Sequence, residues 1–204
     1  MSRNTIALAM TGASGAPYGL RLLECLIQAG EHVSVMISQP AQIVIATETD
    51  FKLTGTTHAM EQQLTRHVKA QPGQLRLFGN AQWTAPLASG SNAPRAMVIC
   101  PCTSSTLSAI ACGASNNLLE RAADVVLKER RPLILVHRET PLSAIHLENM
   151  LKLAQLGATI LPANPGFYHR PTTASQLVDF IVARVLDHLG VEHQLLTRWG
   201  DHEG

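Results

Sequence analysis

The chain has 204 residues, of which 46% are hydrophobic and 15% are charged, and its formal net charge is +1. This length suits one well-buried domain, and the charge balance argues against nucleic acid or an anionic membrane surface as a partner. The sequence has no signal-peptide pattern and no apolar run of the roughly 18 residues that a membrane span needs, and so small a charged fraction suggests that other helices or other subunits cover much of the surface.

The first predicted elements are a strand at Ile6–Met10, a turn of small residues and a helix at Gly15–Ala29. An uncharged apolar run predicts a buried strand, and apolar residues at nearly helical spacing follow the turn. The turn, Thr11-Gly12-Ala13-Ser14-Gly15, lets a ligand approach the backbone, and the free N–H groups of a helix start favour an anion such as phosphate. It matches neither the dinucleotide fingerprint nor the Walker A loop. Two interpretations stay open: a phosphate-binding turn, or a tight turn capped by Ser14.

Strands and helices alternate along the rest of the chain. Strands are predicted at 32–38, 75–78, 96–100, 133–136 and 158–161, and helices at 42–49, 58–69, 103–112, 116–130, 143–156 and 174–189. A long loop spans residues 79–95, and a polar tail spans residues 190–204. Apolar strands separated by helices predict an α/β fold of residues 1–204 as a single domain, with a Rossmann-like (flavodoxin-like) doubly wound parallel sheet.

Small and polar residues follow three of the predicted strands. They are Gly12-Ala13-Ser14 after the first strand, Pro101-Cys102-Thr103-Ser104-Ser105-Thr106, and His137-Arg138-Glu139-Thr140. Because the carboxyl ends of parallel strands meet at one edge of a sheet, we expect these loops to line one crevice. Two hydroxyl-rich helix starts and an arginine would form an anion cradle there. The alternatives are ordinary capping by the hydroxyls and a solvated Arg138–Glu139 pair.

Other candidate residues lie outside these loops. Tyr168 stands in an aromatic loop, where it could hydrogen-bond a phosphate or anchor the loop on the core, and Arg184 lies mid-helix, where it could reach a phosphate or face solvent. A lone carboxylate such as Glu48 is more often a cap than a catalyst. The four cysteines (Cys25, Cys100, Cys102 and Cys112) lack zinc or disulfide spacing, and the histidines lack metal spacing. We therefore expect unpaired thiols, no metal and a reducing cytoplasm.

Six segments, in order along the chain, carry a resemblance to a known family. They are Met-Thr-Gly-Ala-Ser-Gly-Ala (10–16), Cys-Pro-Cys-Thr (100–103), Asn-Asn-Leu-Leu-Glu-Arg-Ala-Ala-Asp-Val (116–125), Leu-Lys-Glu-Arg-Arg-Pro-Leu (127–133), Arg-Glu-Thr-Pro-Leu (138–142) and Pro-Gly-Phe-Tyr-His-Arg-Pro (165–171). Together they resemble the flavin prenyltransferases of the UbiX family over the whole chain. Several matched segments in the right order are far more specific than one glycine turn.

This resemblance implies a Rossmann-like flavoprotein that binds FMN. The family joins a dimethylallyl group from dimethylallyl monophosphate to N5 and C6 of reduced FMN, without a metal. The prenylated flavin then serves UbiD-type decarboxylases, in ubiquinone biosynthesis or aromatic acid metabolism. The resemblance also implies a homo-oligomer, a dodecamer in this family, with the tail at 190–204 packed near the active site or a neighbouring subunit.

The resemblance further implies roles for individual residues. FMN would contact Gly12, Ala13, Ser14, Ser38, Thr103, Ser104, Ser105, Thr106 and Arg138, and the prenyl donor would contact Lys128, Glu139, Tyr168, Arg184 and Trp199. The catalytic set would be Ser14, Glu48, Lys128, Glu139 and Tyr168, with Glu48 assisting proton removal at flavin C6. Lys128 and Glu139 would approach the phosphate from an adjoining subunit or loop. Ala88-Ser89-Gly90 resembles a loop that reaches a neighbouring subunit's flavin.

Two alternatives use the same cofactor. A flavin-dependent cysteine decarboxylase, of the same fold, would carry an Asn-Met motif with a tryptophan, whereas the comparable helix here (residues 146–152) contains Asn149-Met150 and no tryptophan. A non-catalytic flavin carrier would bind FMN without turnover. The chain departs from the family at Ser115, where some members have cysteine, and at Thr103, where serine is common. Neither change removes a hydroxyl or a charge that these roles require.

Overall fold

The computed structural model describes residues 5–196, which form a six-stranded sheet flanked by helices. The strands are β1 (Thr5–Met10), β2 (His32–Ile37), β3 (Leu75–Phe78), β4 (Ala96–Cys102), β5 (Leu133–His137) and β6 (Thr159–Ile160). The helices are α1 (Ala16–Gln28), α2 (Gln39–Glu48), α3 (Thr57–His67), α4 (Ser104–Ala111), α5 (Leu118–Lys128), α6 (Ala144–Gln155) and α7 (Ala174–Leu189). All strand pairs are parallel, in the order β3-β2-β1-β4-β5-β6. This is the doubly wound Rossmann order, so the predicted fold class is confirmed.

Side chains of the central strands fill two apolar cores, one on each face of the sheet. In β1, Ile6, Leu8 and Met10 belong to the core under α1 and α7, whereas Ala7 and Ala9 belong to the core under α4, α5 and α6. Successive side chains of a strand point to opposite faces, so a strand covered on both faces needs an uninterrupted apolar run. The uncharged runs in the sequence have this physical cause.

Two glycines allow the chain to pass from β1 into α1 and to pack that helix on the sheet. Gly15, at the start of α1, has a φ of 118°, which L side chains rarely adopt. Gly19 faces β4, where an added Cβ would lie 2.4 Å from the carbonyl oxygen of Cys100. The close approach of α1 to β4 therefore depends on the absence of a side chain at Gly19.

The predicted elements are present with shifted ends. Helix α2 begins three residues earlier than predicted because the Ser38 hydroxyl caps it, accepting from the amide of Ala41 at 3.2 Å. Strand β4 continues through Cys102, and β6 has only two residues. The loop at 79–95 contains two short 3-10 turns, Pro86–Ala88 and Gly90–Asn92. None of the helices within residues 5–196 is long and apolar enough to cross a membrane.

Candidate active site

Thr11, a buried residue with no assigned role at the sequence level, joins the loops after β1 and β4. Its hydroxyl donates to the carbonyl of Pro101 at 2.8 Å and accepts from the amide of Thr103 at 2.9 Å. Both loops leave the carboxyl edge of the sheet between β1 and β4, where the strand order reverses. Ligands of open α/β sheets bind in the crevice at this point. Thr11 therefore holds the two sides of a candidate ligand crevice together.

Arg138 brings the loop after β5 to the same crevice. Its Nε donates to the carbonyl of Ser14 at 3.2 Å, and the Ser104 hydroxyl donates to Oε2 of Glu139 at 3.0 Å. The three predicted loops thus meet, and Ser14, Ser104, Arg138 and Glu139 lie together. Within residues 5–196, the terminal guanidinium nitrogens of Arg138 form no hydrogen bond, so they are available to a ligand.

The start of α4 carries a cluster of hydroxyls. Thr103 caps the helix by accepting from the amide of Thr106 at 3.2 Å. The Thr103 hydroxyl also lies 2.9 Å from the Thr106 hydroxyl and 3.0 Å from the hydroxyl of Ser105, which is exposed. A hydroxyl that accepts one hydrogen bond can still take part in others, so capping and ligand binding are compatible here.

A carboxylate of the chain itself occupies the start of α1. Oε2 of Glu48 accepts from the amides of Gly15 and Ala16 at 2.8 and 2.9 Å. The N-cap of α1 is Gly15, which has no side chain that could cap the helix. The interpretation of Ser14 as the cap is therefore wrong. The helix start does attract an anion, as its free amides predict, but that anion is Glu48. A phosphate at this turn would have to displace Glu48 or use other donors of the crevice.

His137 lies at the inner end of the crevice. Its Nε2 is 3.1 Å from the Ser104 hydroxyl, and the residue is 2% exposed. Burial, with a smaller contribution from nearby His146, lowers the pKa of His137. The hydrogen bond from Ser104, followed by that from the Thr140 amide, lowers the pKa of Glu139. At neutral pH a neutral imidazole therefore shares the Ser104 hydroxyl with an ionised carboxylate.

Tyr168 packs against α7, the helix that carries Arg184. The Tyr168 ring packs edge-on against Phe180, with ring centroids 5.7 Å apart, and Arg184 follows one turn later on the same face of the helix. Arg184 is exposed and pairs with Asp187 at 2.7 Å. His169 stacks on Phe180, and both of its ring nitrogens are buried without a hydrogen-bond partner among the described residues. Such atoms are costly to leave unpaired, so this region suits a polar ligand.

Lys128 lies at the opposite edge of the sheet from the crevice. It ends α5, which leads into the amino end of β5, and its ammonium group pairs with Glu129. It also approaches the loop at 79–95: a Cβ added to Gly90 would lie 2.7 Å from its Nζ. Arg121 holds the same loop by donating from Nε to the carbonyl of Ala88 at 3.1 Å. A single chain therefore does not bring Lys128 to Ser14 and Arg138.

The remaining candidates are placed as follows. Ser38 caps α2 at the carboxyl edge, and Gly12 packs so closely on α2 that an added Cβ would lie 2.5 Å from Cβ of Pro40. Trp199 lies outside the described residues, as do residues 197–204 of the tail. Cys102 is buried, which raises its pKa to about 12, so its thiol is protonated at neutral pH. The part of the chain that the structure describes holds no cluster of three or more potential metal ligands from His, Cys, Asp and Glu.

Comparisons with known proteins agree on one family. The Flavoprotein family model matches residues 1–186. The flavin prenyltransferase UbiX of Pseudomonas aeruginosa is 62% identical over 196 residues, which cover 96% of this chain and 94% of that protein. A crystal structure of AnUbiX (PadA1) in complex with FMN and dimethylallyl pyrophosphate is 36% identical, with a TM-score of 0.87, and covers 98% of this chain and 100% of that chain. A dodecameric FMN-dependent UbiX-like decarboxylase from Escherichia coli is 38% identical, with a TM-score of 0.85, over 96% of this chain and 98% of that chain.

The match to the family model and the matches to individual relatives cover nearly the same part of the chain. The family model covers the sheet and nearly all of the helices, and the similarity to the flavin prenyltransferases extends over almost the whole length of both chains. The crevice lined by Ser14, Ser104, Arg138 and Glu139 lies at the ligand-binding edge of the shared fold. The chain belongs to the flavoprotein family and, within it, to the UbiX flavin prenyltransferases.

Proposed function

We propose that this chain joins a dimethylallyl group from dimethylallyl monophosphate to N5 and C6 of reduced FMN. The observation that carries the proposal is the crevice at the carboxyl edge, where Arg138 bonds to Ser14 and Ser104 bonds to Glu139. It combines hydroxyls, a helix start, a guanidinium group and a carboxylate in one place. These groups suit a phosphorylated cofactor beside an anionic prenyl donor.

The residues at the crevice fit FMN. The turn at Gly12 and Ala13 carries no bulky side chain, and α4 directs its amide end and the hydroxyls of Thr103, Ser104, Ser105 and Thr106 to the crevice. Ser14, Ser38 and the free guanidinium nitrogens of Arg138 would add further hydrogen bonds to the cofactor. Reduced FMN, when bound, supplies the two nucleophilic positions of the reaction. The chain's task is to hold those positions beside the allylic carbon.

The donor would bind through the cationic and hydroxyl groups around α7. Arg184 lies one turn from the ring that packs against Tyr168, and together they could hold a phosphate. Because a monophosphate is a poor leaving group, charge develops on it as the allylic C–O bond lengthens, and Arg184, Lys128 and the Tyr168 hydroxyl would stabilise that charge. Glu139 would accept a proton or a hydrogen bond on this side of the crevice, and Trp199 would pack against the dimethylallyl group.

Glu48 is proposed as the base that assists proton removal at C6. Its Oε2 is held by the amides of Gly15 and Ala16, while Oε1 makes no hydrogen bond within residues 5–196. One oxygen would therefore fix the direction of the carboxylate and the other would take up the proton. A base of this kind depends on geometry first and on its pKa second.

We also propose that the active protein is a homo-oligomer whose subunits share sites. Lys128 and the loop containing Ser89 and Gly90 lie on the far edge of the subunit, so only a neighbouring crevice could use them. A dodecamer would be consistent with the assembly of the UbiX-like relative. The product would pass to a UbiD-type decarboxylase in a reducing cytoplasm, which suits four free cysteines.

The decisive experiment mixes the protein anaerobically with reduced FMN and dimethylallyl monophosphate, and then measures the mass of the flavin. The proposal requires a gain of one C5H8 unit, and a parallel reaction with dimethylallyl diphosphate measures the preference between the two donors. Arg138→Gln should weaken FMN binding and product formation. Arg76→Gln, which removes the same charge from the exposed face of β3, is the matched control and should not.

The two alternative functions predict different outcomes. Oxidative decarboxylation of a peptidyl or pantothenoyl cysteine would replace the proposal with a cysteine decarboxylase. FMN that binds but keeps its mass with both donors would indicate a flavin carrier. Similarity over nearly the whole chain to a protein named as a flavin prenyltransferase favours the first function.

A further inference from the structure

Three side chains at the inner end of the crevice share two hydrogen bonds. The Ser104 hydroxyl lies 3.1 Å from Nε2 of His137 and 3.0 Å from Oε2 of Glu139. His137 is the last residue of β5, and Ser104 is the first residue of α4. His137 is almost completely buried, and a buried ring nitrogen that is left unpaired destabilises the fold. The hydrogen bond with Ser104 therefore contributes to the stability of this site.

The single proton of the Ser104 hydroxyl decides the direction of both hydrogen bonds. Glu139 is ionised at neutral pH, because the bonds from Ser104 and the Thr140 amide lower its pKa, and an ionised carboxylate can only accept. The Ser104 proton is therefore donated to Glu139. The hydroxyl oxygen must then accept from His137, which requires a neutral His137 to carry its proton on Nε2.

The other groups around His137 keep its ring neutral. The ring of His146, on α6, has its centroid 6.2 Å away, and Arg138 follows in the chain; both oppose a further positive charge. Cys102 of β4 is paired with His137 in the sheet, and burial keeps its thiol protonated. Glu139 favours the charged ring, but the burial of His137 has the larger effect and lowers its pKa.

We propose that His137 is a positioning residue for Glu139: its Nε2–H holds the Ser104 hydroxyl so that the hydroxyl proton is committed to the Glu139 carboxylate. The carboxylate is thereby fixed in direction and kept ionised on the side of the crevice where the donor binds. His137 itself touches neither flavin nor donor. This inference rests on the proposed role of Glu139 in the prenyl transfer.

The tautomer of His137 can be read without any turnover. Magic-angle-spinning NMR of the protein with isotopically labelled histidine, in which the His137 signals are identified by their loss in His137→Gln, reports which ring nitrogen is protonated. We expect a protonated Nε2 and an unprotonated Nδ1 at neutral pH. A protonated Nδ1 would overturn the proposal, because Ser104 would then donate to the imidazole and not to Glu139.

Two substitutions test the hydrogen bond in the reaction. The amide nitrogen of Gln can take nearly the place of Nε2, whereas that of Asn matches Nδ1. His137→Gln should keep kcat/KM within about twofold of the original, and His137→Asn should lower it by about threefold to tenfold. His137→Asn should also move the acidic limb of the kcat/KM profile to higher pH, because Glu139 loses its committed donor and its pKa rises. FMN affinity should stay unchanged in both variants.

A control separates this network from a general effect of removing an imidazole. His146→Gln removes a nearby ring that is not bonded to Ser104, and Gln at that position preserves the capping box with Ser143. The acidic limb of His146→Gln should move much less than that of His137→Asn, because His146 makes the smallest of the contributions that lower the pKa of Glu139. If His137→Asn binds FMN normally and has the same acidic limb as well, the proposal is wrong. Failure of the original protein to transfer a prenyl group would refute the proposed function alone, since the tautomer still tests the network.

Discussion

The two oxygens of the Glu48 carboxylate have different surroundings. Oε2 accepts from the amides of Gly15 and Ala16, and Oε1 makes no bond to any residue in the range 5–196. The first contact puts a negative charge at the positive end of α1, which stabilises the helix and holds the side chain over the turn. The second oxygen stays available to a proton. Removing the charge should therefore lower stability through the contact of Oε2 with α1, and lower the reaction rate through the loss of a proton acceptor at Oε1.

We expect Glu48→Gln to lower the free energy of unfolding by about 1 kcal/mol, because Gln keeps an acceptor oxygen but loses the charge. Product formation should slow by on the order of a hundredfold while FMN stays bound. Urea unfolding followed by circular dichroism and the anaerobic flavin assay measure the two effects. The control is Glu61→Gln, since Glu61 also accepts from a backbone amide, that of Leu77 at 2.8 Å, but on edge strand β3. The control should lose stability and keep its rate; a Glu48→Gln protein with the original rate would contradict the assigned role.

His137 should make the protein less stable in mild acid. Burial lowers the pKa of its ring below the 6.5 of a free imidazole, so between the two values the unfolded chain binds more protons than the folded chain. The free energy of unfolding therefore rises with pH through that interval and levels off above about pH 6.5. In His137→Gln this contribution is absent, so the profile should be flatter over about pH 5 to 7. Urea unfolding of both proteins across this range measures the difference, and parallel profiles would show that His137 is not the group responsible.

At the scale of elements, the contact between α1 and β4 decides the effect of Gly19→Ala. Alanine in a helix interior is favoured over glycine by about 1 kcal/mol. The new Cβ, however, would lie 2.4 Å from the Cys100 carbonyl oxygen. Because this oxygen belongs to the backbone of β4, the clash can be relieved only if α1 moves away from the sheet. Overpacking of a core costs about 1–3 kcal/mol, so we expect a net loss of stability. Urea unfolding measures it, with Gly79→Ala as the control, where the nearest atom would be Oγ1 of Thr57 at 3.4 Å. A more stable Gly19→Ala protein would mean that α1 has room to shift.

Sequence patterns predicted most accurately the bounds of those elements whose ends are set by neighbouring residues. Helix α7 has the predicted bounds, 174–189, because Thr173 and Gln176 form a capping box at one end and Gly190 adopts a left-handed conformation at the other. The three polar strand ends were predicted to meet, because parallel strands place their carboxyl ends at one edge. These signals are local in the sequence or follow from the sheet topology.

Contacts between residues far apart in the chain could not be predicted from local patterns or from the sheet topology. The cap of α1 comes from Glu48, which is 33 residues beyond Gly15, so local patterns favoured the adjacent Ser14. Thr11 joins two loops by contacts to residues 90 and 92 positions later, and no spacing rule marks it. For His137 a signal did exist: a single histidine ends an otherwise apolar strand, which indicates a buried polar contact at the sheet edge.

At the scale of the whole molecule, the exposed apolar side chains of α6 support the proposed assembly. Ile145, Leu147, Leu151 and Leu156, on and just after α6, are each more than half exposed in the single chain. Leu147 and Leu151 lie one turn apart on one side of α6, and Ile145 lies on the other side. Exposed apolar side chains concentrated on one helix are typical of an interaction surface, and the low charged fraction of the chain agrees with burial of such a surface between subunits. Together with the position of Lys128 far from the crevice, this surface favours sites that are completed by neighbouring subunits.

A shared site can be tested by mixing two inactive proteins. Lys128→Ala and Arg138→Ala subunits, co-expressed with different tags and purified through both tags, should regain activity. Some sites will then combine Arg138 of one subunit with Lys128 of the other, and random assembly restores about a quarter of the original rate. The control pair is Arg138→Ala with Glu139→Ala, whose residues belong to one crevice of one subunit, so mixing should restore almost nothing. Equal, negligible rates for both pairs would mean that Lys128 does not act in a neighbour's site.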